Sequence, residues 1–187
     1  LGTGIVSAIP GQQDANKTIS PVSVLAGAEL DAARATTLGQ TVSSVPGVQT
    51  SAFGAGAGRP VIRGADGARV SVLSNGLGTQ DVSSVSQDHA VSLEPFLADQ
   101  IEILKGPSTL LFGSGAIGGV INFISNTGDT QSGAIGLTAG LDYDSFRTDF
   151  RYGMPFGDGW RFHVAGFYRR GDGVRDAGYT AEDGGQI

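Results

Sequence analysis

The chain contains no cysteine, one tryptophan, one methionine and only two histidines among its 187 residues. Without cysteine, disulfide frameworks, thiolate metal sites and cysteine nucleophiles are excluded, so metal ligands would have to be histidine, aspartate or glutamate. No run of about 18 apolar residues occurs, which excludes a helical membrane span and leaves β-strands as the only means of crossing a membrane. No paired carboxylates or Ser/His/Asp arrangement stands out either, so we expect no enzymatic activity.

Basic residues are also few: 12 lysines and arginines stand against 18 aspartates and glutamates, which gives a formal net charge of -6. Because the basic residues are scattered, nucleic acid is not an expected partner, whereas a cationic ligand is electrostatically easier to bind. No positively charged segment followed by an apolar one opens the chain, so we expect a secretory signal to have been removed or truncated.

Glycine, in contrast, is abundant, and 31 residues without a collagen repeat indicate β structure with many tight turns. Residues 1–17 are rich in Gly, Gln, Ser and Asn and indicate a flexible leader. After the leader, short strand patterns surround an amphipathic helix, Leu38–Val45, which begins with capping-box spacing at Thr37. This part of the chain therefore has a mixed α+β pattern.

Beyond Gly133 the pattern changes to three strands of about ten residues that carry charge on one face and apolar or aromatic groups on the other. The charged face includes Arg147 and Asp149, and the apolar face includes Leu137 and Trp160. This alternation is typical of transmembrane β-barrels, although a soluble antiparallel sheet with one buried face is the alternative. Three strands leave two open edges, which are costly in lipid, so we expect the chain to be an N-terminal fragment.

Two strand patterns lie around a glycine-rich turn in the segment Gln100–Ile124. The residues expected to shape this turn are Gly106, Pro107, Gly113, Gly115, Gly118 and Gly119. Gly113–Gly118 also matches the Gly-x-Gly-x-x-Gly fingerprint of dinucleotide-binding proteins, but that fingerprint must open a helix. Here β-branched Val120 and Ile121 follow at once, so a nucleotide cofactor is not expected.

The order of five motifs resembles the plug domain of TonB-dependent outer-membrane receptors. The motifs are Pro21–Leu25, Leu38–Val48, Val61–Gly64, Ile101–Pro107 and Gly118–Asn122. The resemblance covers roughly residues 18–126, and it implies a plug domain at 18–131 and the first three barrel strands at 132–187. The expected fold is therefore an α+β plug, with a small mixed sheet and short helices, followed by the first antiparallel strands of a transmembrane β-barrel.

The resemblance implies active uptake of a scarce nutrient across the outer membrane of a Gram-negative bacterium. In this family the plug gates a barrel that is embedded in outer-membrane lipid. The periplasmic TonB protein, energised by its inner-membrane complex, remodels the plug through a TonB box that precedes it. Residues 1–17 are a candidate remnant of that region in the periplasm, with Gly4–Ser7 as its tail.

Two groups of site residues follow from the matched motifs. Arg63, Glu102 and Lys105 are implied to belong to a polar network that holds the plug against the barrel wall, because buried charges must be paired. Pairing inside the plug is the alternative for Lys105. The loops at 53–59 and 75–87, the second of which opens with an Asn-Gly hairpin signal, are expected to face the ligand. Their candidate residues are Phe53, Arg59, Asn75, Gln80, Asp81 and Gln87.

Asp88 and His89 are the sequence feature that bears most directly on the cargo, because a carboxylate next to an imidazole suits Zn²⁺. The segment Gln87–Ala90 resembles the plug of zinc-uptake receptors of the ZnuD type, which implies that the pair binds metal. Zinc or a related transition metal would then be transported cargo and not a cofactor. Four-coordinate zinc needs more ligands, and the only other histidine is His163, so the rest are expected downstream.

Three readings of the cargo and of the protein class remain open at this stage. The Asp-His pair is either a metal site or a hydrogen-bonded feature of a loop. In the second case the same receptor architecture would carry a siderophore, haem or cobalamin. The third alternative is a soluble plug-like binding module without a barrel.

Overall fold

The computed structural model describes residues 5–6, 13–14, 21–52, 57–125, 131–140 and 145–170. Most of the predicted leader, Phe53 and the end of the chain beyond Arg170 lie outside the described residues. In chain order the strands and helices are β1 (Ile5–Val6), β2 (Gln13–Asp14), β3 (Val22–Ala26), α1 (Gly27–Ala33), α2 (Leu38–Val42), β4 (Val48–Ala52), β5 (Gly58–Ile62), β6 (Val70–Ser74), β7 (Leu77–Gly78), β8 (Ala98–Leu104), β9 (Gly119–Ser125), β10 (Ser132–Gly140), β11 (Ser145–Phe156) and β12 (Trp160–Arg170).

An α+β domain occupies residues 21–125 and is built on a mixed five-stranded sheet in the order β3-β8-β9-β6-β7. Only β6 and β9 pair in parallel; the other neighbours in this sheet are antiparallel. Ile101 and Ile121, on the two central strands, are fully buried. Leu30 of α1 and Val42 of α2 belong to the same buried cluster, so the two helices help to close a single apolar core.

The predicted amphipathic helix forms as α2, although it ends at Val42 instead of Val45. The Thr37 hydroxyl accepts a hydrogen bond from the Gln40 amide at 3.2 Å, as the capping-box spacing predicts. Beyond Val42 the backbone tightens to bonds of three-residue spacing, with the Val45 amide donating to the Val42 carbonyl at 3.1 Å. This tightening before Pro46 ends the α-helix one turn early.

The glycine-rich turn has the backbone that its sequence predicts. Gly106 and Gly113 adopt φ of 96° and 79°, a region that residues with a Cβ rarely enter. Gly118 and Gly119 serve close packing, because added Cβ atoms would lie 2.4 Å from the Ala65 Cβ and 2.6 Å from the Ile62 Cδ1. Inside the fingerprint the chain forms a single 3₁₀ turn, Ser114–Ala116, and strand β9 follows directly. No α-helix opens here, so the dinucleotide interpretation is dropped.

Strands β4 and β5 form a separate antiparallel pair, and the residues after the α+β domain form the three-stranded antiparallel meander β10-β11-β12. Its register pairs Thr138 with Arg147 and Arg147 with Arg169, so the two arginines share one face. Arg147 is buried against the α+β domain, whereas Ile135 on the opposite face is 82% exposed. The predicted two-faced pattern is therefore confirmed. Among the described residues, no helix has the length and apolar character needed to span a membrane.

Candidate cargo-binding loop and the junction with the meander

The meander has two distinguishable ends that serve to locate the site. We call the end with Ser132 and the short turn Gly157–Gly159 the inner end, and the end with Gly140, Ser145 and Arg170 the outer end. The α+β domain contacts the meander near both ends, so these contacts show which of its segments lie toward each end.

The first contacts lie near the inner end. Arg151, which pairs with Ala134 in the register of the meander, donates to the Ala98 carbonyl at 2.5 Å. The same guanidinium lies 2.9 Å from the Asp99 carboxylate. Ser125 pairs with Ala98 on the neighbouring strand of the five-stranded sheet, so the C-terminal end of β9 also belongs to the inner end.

Closer to the outer end, Arg147 and Glu94 form an ion pair with 2.6 Å between guanidinium nitrogen and carboxylate oxygen. Both side chains are nearly buried, at 5% and 6% exposure. Asp149 lies 3.8 Å from Arg147 as a second carboxylate. Burial raises the pKa of Glu94, and the nearby Arg147 charge offsets part of that rise. We refer to the contacts of Glu94–Asp99 with the meander as the junction.

Phe96 and Arg34 complete the junction. The Arg147 guanidinium lies over the Phe96 ring, 3.3 Å from its centroid, and Arg34 approaches the same ring at 5.6 Å, which places the ring in cation–π contact. Arg34 also donates to the carbonyls of Pro95 and Ala98 at 2.6 and 3.0 Å. Arginine therefore holds the backbone of this segment as well as its side chains.

The loop that carries Asp88 and His89 continues from the junction toward the outer end. A cavity of about 180 Å³ lies between the loop and β12, and its walls include Ala90–Glu94, Phe167 and Arg169. Arg169, one residue from the end of β12, donates to the Thr36 carbonyl at 3.3 Å. Residues 90–94 thus lie beside the last residues of β12, and Asp88 and His89 come directly before them in the chain.

Asp88 and His89 contact each other, with 3.0 Å between the Asp88 Oδ1 and the His89 Nδ1. Each side chain is 55% exposed. The Ser86 hydroxyl donates to the same carboxylate oxygen, and this bond, followed by the contact with His89, holds the pKa of Asp88 below its usual value. Within the described residues, no group of three or more His, Cys, Asp or Glu side chains is arranged to hold a metal ion. The pair can supply two ligand atoms.

Residues 14–120 match the TonB-dependent receptor plug domain. The chain belongs to this family. A vitamin B12 transporter, BtuB, from Photobacterium profundum is 33% identical over 144 residues, which cover 76% of this chain and 23% of that protein. BtuB from Vibrio vulnificus is 28% identical over 176 residues, 91% of this chain and 28% of the relative. This chain thus spans about a quarter of the length of these relatives.

Solved structures agree on the fold. The pyoverdine outer-membrane receptor FpvA from Pseudomonas aeruginosa PAO1, bound to pyoverdine, has a TM-score of 0.70 with this chain at 20% identity. The match covers 89% of this chain and 24% of the receptor. The match extends beyond the residues that match the plug domain, so the α+β domain and at least part of the meander share the receptor fold. We refer to the α+β domain as the plug from here on.

Three polar plug residues that were predicted to meet the barrel wall have their observed contacts elsewhere. Glu102 is fully buried and accepts from Asn122 at 3.0 Å, inside the plug sheet. Lys105 donates to the Pro46 carbonyl at 3.0 Å, and burial together with the charge of Arg63 lowers its pKa. Lys105 thus makes the contact inside the plug that was the alternative. A wall contact of Arg63, Glu102 or Lys105 stays a prediction.

The residues predicted to face the ligand are divided between the two ends. Gln87 is exposed beside Asp88. Asn75, in contrast, exchanges hydrogen bonds with Ser125 at 2.9 and 3.1 Å, which puts it at the inner end. The reason is the parallel pairing of β6 with β9, because it brings the hairpin turn after β6 beside the C-terminal end of β9.

Arg59, Gln80 and Asp81 line a cavity of about 250 Å³ within the plug. Arg59 is buried there, and its guanidinium donates to the Ser83 carbonyl and to the Asp66 carboxylate, each at 2.8 Å. These contacts fix the position of neighbouring loops. Direct contact of Arg59, Gln80 and Asp81 with cargo stays a prediction, and Phe53 lies outside the described residues.

Sequence reasoning missed the plug side of the junction. The alternating pattern of β11 identified Arg147, Asp149 and Arg151 as a charged face but gave no partner for them. A usable signal was present, because Glu94 and Asp99 flank an apolar Pro-Phe-Leu-Ala stretch, and a buried basic strand face requires carboxylates of this kind.

Proposed function

We propose that the complete protein is an outer-membrane receptor of a Gram-negative bacterium that takes up its cargo by TonB-dependent active transport. The observation that carries this proposal is the junction: Glu94 and Asp99 pair with arginines on the polar face of the meander, while Ile135 and Trp160 are exposed on the opposite side. Strands of transmembrane barrels are apolar toward lipid and polar toward the lumen. The plug therefore occupies the side that would be the lumen, whereas a soluble plug-like module would expose a large apolar face without a use.

In this proposal the short turn Gly157–Gly159 lies on the periplasmic side, because periplasmic turns of bacterial barrels are short. The outer end then faces the exterior, the plug gates the barrel, and TonB, energised by its inner-membrane complex, acts on the plug from the periplasmic side. The test compares cargo uptake in cells that express the complete receptor at equal levels with and without TonB. Unchanged uptake without TonB would contradict the proposal, as would a complete protein that stays soluble without detergent.

For the cargo, Zn²⁺ or a related transition-metal ion is supported by the adjacent carboxylate and imidazole of Asp88 and His89. These are ligand types of four-coordinate zinc sites. Because the pair supplies only two ligands, the others would come from parts of the complete receptor outside the described residues.

Zinc titration of the complete receptor tests this cargo. The Asp88→Ala/His89→Ala variant should lose more than about 100-fold in affinity, since even outer-shell partners of metal ligands contribute about 10- to 100-fold. The matched control, Asp158→Ala/His163→Ala, removes the same residue types elsewhere and should bind zinc like the unmodified receptor. Equal affinity of the first variant and the unmodified receptor would exclude the zinc site.

A metal chelate is the second candidate, and it is favoured by the vitamin B12 transporters among the relatives. Cobalamin, haem or a siderophore is larger than a single ion and would contact more of the outer end, including Gln87. Binding of one of these chelates that persists in the Asp88→Ala/His89→Ala variant, with no zinc binding by the unmodified receptor, would select this candidate.

A further inference from the structure

One carboxylate holds both ends of the loop at residues 81–92. The Asp81 Oδ1 accepts from the Ser83 amide at 2.8 Å, and the Asp81 Oδ2 accepts from the Ser92 amide at 2.8 Å. The Ser92 hydroxyl donates to the same Oδ2. Two ends of a loop that are eleven positions apart are thus joined through a single side chain. Hydrogen bonds to an ionised acceptor are among the stronger ones in proteins.

Apolar burial contributes little to the order of this loop. Val85 is 80% exposed, Val82 is exposed, and the Asp88-His89 tip is exposed. Only Val91, near the C-terminal end of the loop, packs partly against the plug core. With so little buried surface, the loop depends on polar contacts to offset the entropy of closing it. The carboxylate of Asp81 is the contact that closes it.

Asp81 is suited to this role because both its oxygens are occupied and its charge persists at neutral pH. Burial by itself would raise its pKa, but the hydrogen bonds from Ser92 and Ser83 outweigh burial and leave the pKa below its usual value. An oxygen that already accepts from a backbone amide is a poor candidate for a cargo ligand. The geometry separates Asp81 from Asp88, which has a single serine and a histidine as neighbours.

We propose that Asp81 is the positioning residue of the cargo loop: its carboxylate fixes residues 81–92 in one conformation and thereby presents Asp88 and His89 to the cargo. This inference rests on the proposed zinc function. Ligands that are already ordered before binding lose less conformational freedom when the cargo arrives. Asp81 should therefore control affinity without touching the ion.

A measurement of loop mobility tests the hydrogen bonds of Asp81 independently of cargo. A spin label on a cysteine introduced at Val85, in a cysteine-free background of the complete receptor, reports loop motion by its line shape. Asp81→Asn keeps the side-chain volume but has one acceptor oxygen for two amides, so the label should become mobile. Ser92→Ala removes only the hydroxyl bond and should give an intermediate line shape, and Asp158→Asn, at the inner end, is the matched control. An immobile label in the Asp81→Asn receptor would overturn the inference.

Zinc titration of the same variants tests the consequence for cargo. Asp81→Asn should weaken zinc binding on the order of tenfold, while Asp158→Asn leaves it unchanged. A mobile label with unchanged zinc affinity would overturn the positioning role, provided that Asp88→Ala/His89→Ala abolishes binding and so upholds the site. If that double variant binds zinc normally, the zinc proposal fails instead, and the positioning of a metal-binding pair fails with it.

Discussion

Replacement of Glu94 by leucine in the complete receptor tests whether the junction stabilises the plug against unfolding. Glu94→Leu leaves the Arg147 guanidinium buried, with Asp149 at 3.8 Å as its remaining carboxylate and the Phe96 ring beneath it. Removal of one partner from a buried ion pair costs about 3–5 kcal/mol. Because Asp149 and Phe96 still interact with the cation, we expect a loss near the lower limit, about 3 kcal/mol.

Removal of Arg147 should cost less stability than removal of Glu94, because only one of the two groups can lose its charge. Arg147→Met leaves a buried carboxylate whose pKa burial already raises, so Glu94 can take up a proton and lose its charge. Arg147 cannot lose its charge in a comparable way, because arginine stays protonated in proteins. We therefore expect Arg147→Met to cost about 1.5–2 kcal/mol. The double variant Glu94→Leu/Arg147→Met replaces both charges by apolar groups of similar size and should cost only about 1 kcal/mol.

Urea unfolding of the plug, followed by a spin label at exposed Leu110, provides the free energies for this cycle. The control is Arg69→Ala, which removes an exposed side chain and its 3.7 Å ion pair with Asp66, away from the junction, and should cost less than about 1 kcal/mol. The double variant should be less destabilised than the sum of the single variants by about 3 kcal/mol or more. A double variant that equals that sum, or a Glu94→Leu receptor as stable as Arg69→Ala, would refute the reasoning.

Three further predictions concern the plug interior and the loop. Gly118→Ala should cost about 1–3 kcal/mol in the same urea titration because its Cβ meets Ala65, whereas Gly115→Ala, with only a backbone oxygen at 3.5 Å, should cost less than about 1 kcal/mol. Asn122→Ala removes a donor to the buried carboxylate of Glu102 and should cost about 1–3 kcal/mol. The pKa of Asp81 is lowered from 3.8 in the fold, so the carboxylate contributes fully to the order of the loop above pH 3.8. That contribution is lost as the pH falls through the lower pKa of the folded state. A label at position 85 that loosened between pH 5 and 6 would contradict this.

The sheet elements of the fold could be predicted because they depend on local patterns. The alternation in β11 fixed which side chains share a face, and Asn75-Gly76 has φ values of 50° and 82° as its hairpin signal requires. The length of α2 was harder to predict, since Val45 keeps the apolar periodicity after the hydrogen bonding has changed. Periodicity identifies the buried face of a segment and not the residue at which its helix ends.

The candidate site was only partly accessible from sequence, because its contacts join distant parts of the chain. Asp88 and His89 are neighbours and could be found as a pair. The partner of Arg147 lies 53 positions away at Glu94, and a charged strand face does not identify the loop that will cover it. The position of Asn75 could not be predicted from sequence for a related reason, since the pairing of β6 with β9 is what shows that its turn lies at the inner end.

The junction and the cargo loop are consecutive in the chain, and this order constrains how the plug can move. Ser92 is held by Asp81, and Glu94, two residues later, is held by Arg147. The C-terminal end of the cargo loop is therefore attached both to the plug and to the meander. Strand β3, in contrast, lies at an edge of the plug sheet and pairs only with β8. In the proposed receptor, a force on the N-terminal side of the plug would reach this edge strand first, so we expect that side to yield while Ser92 and Glu94 hold the C-terminal end of the cargo loop in place.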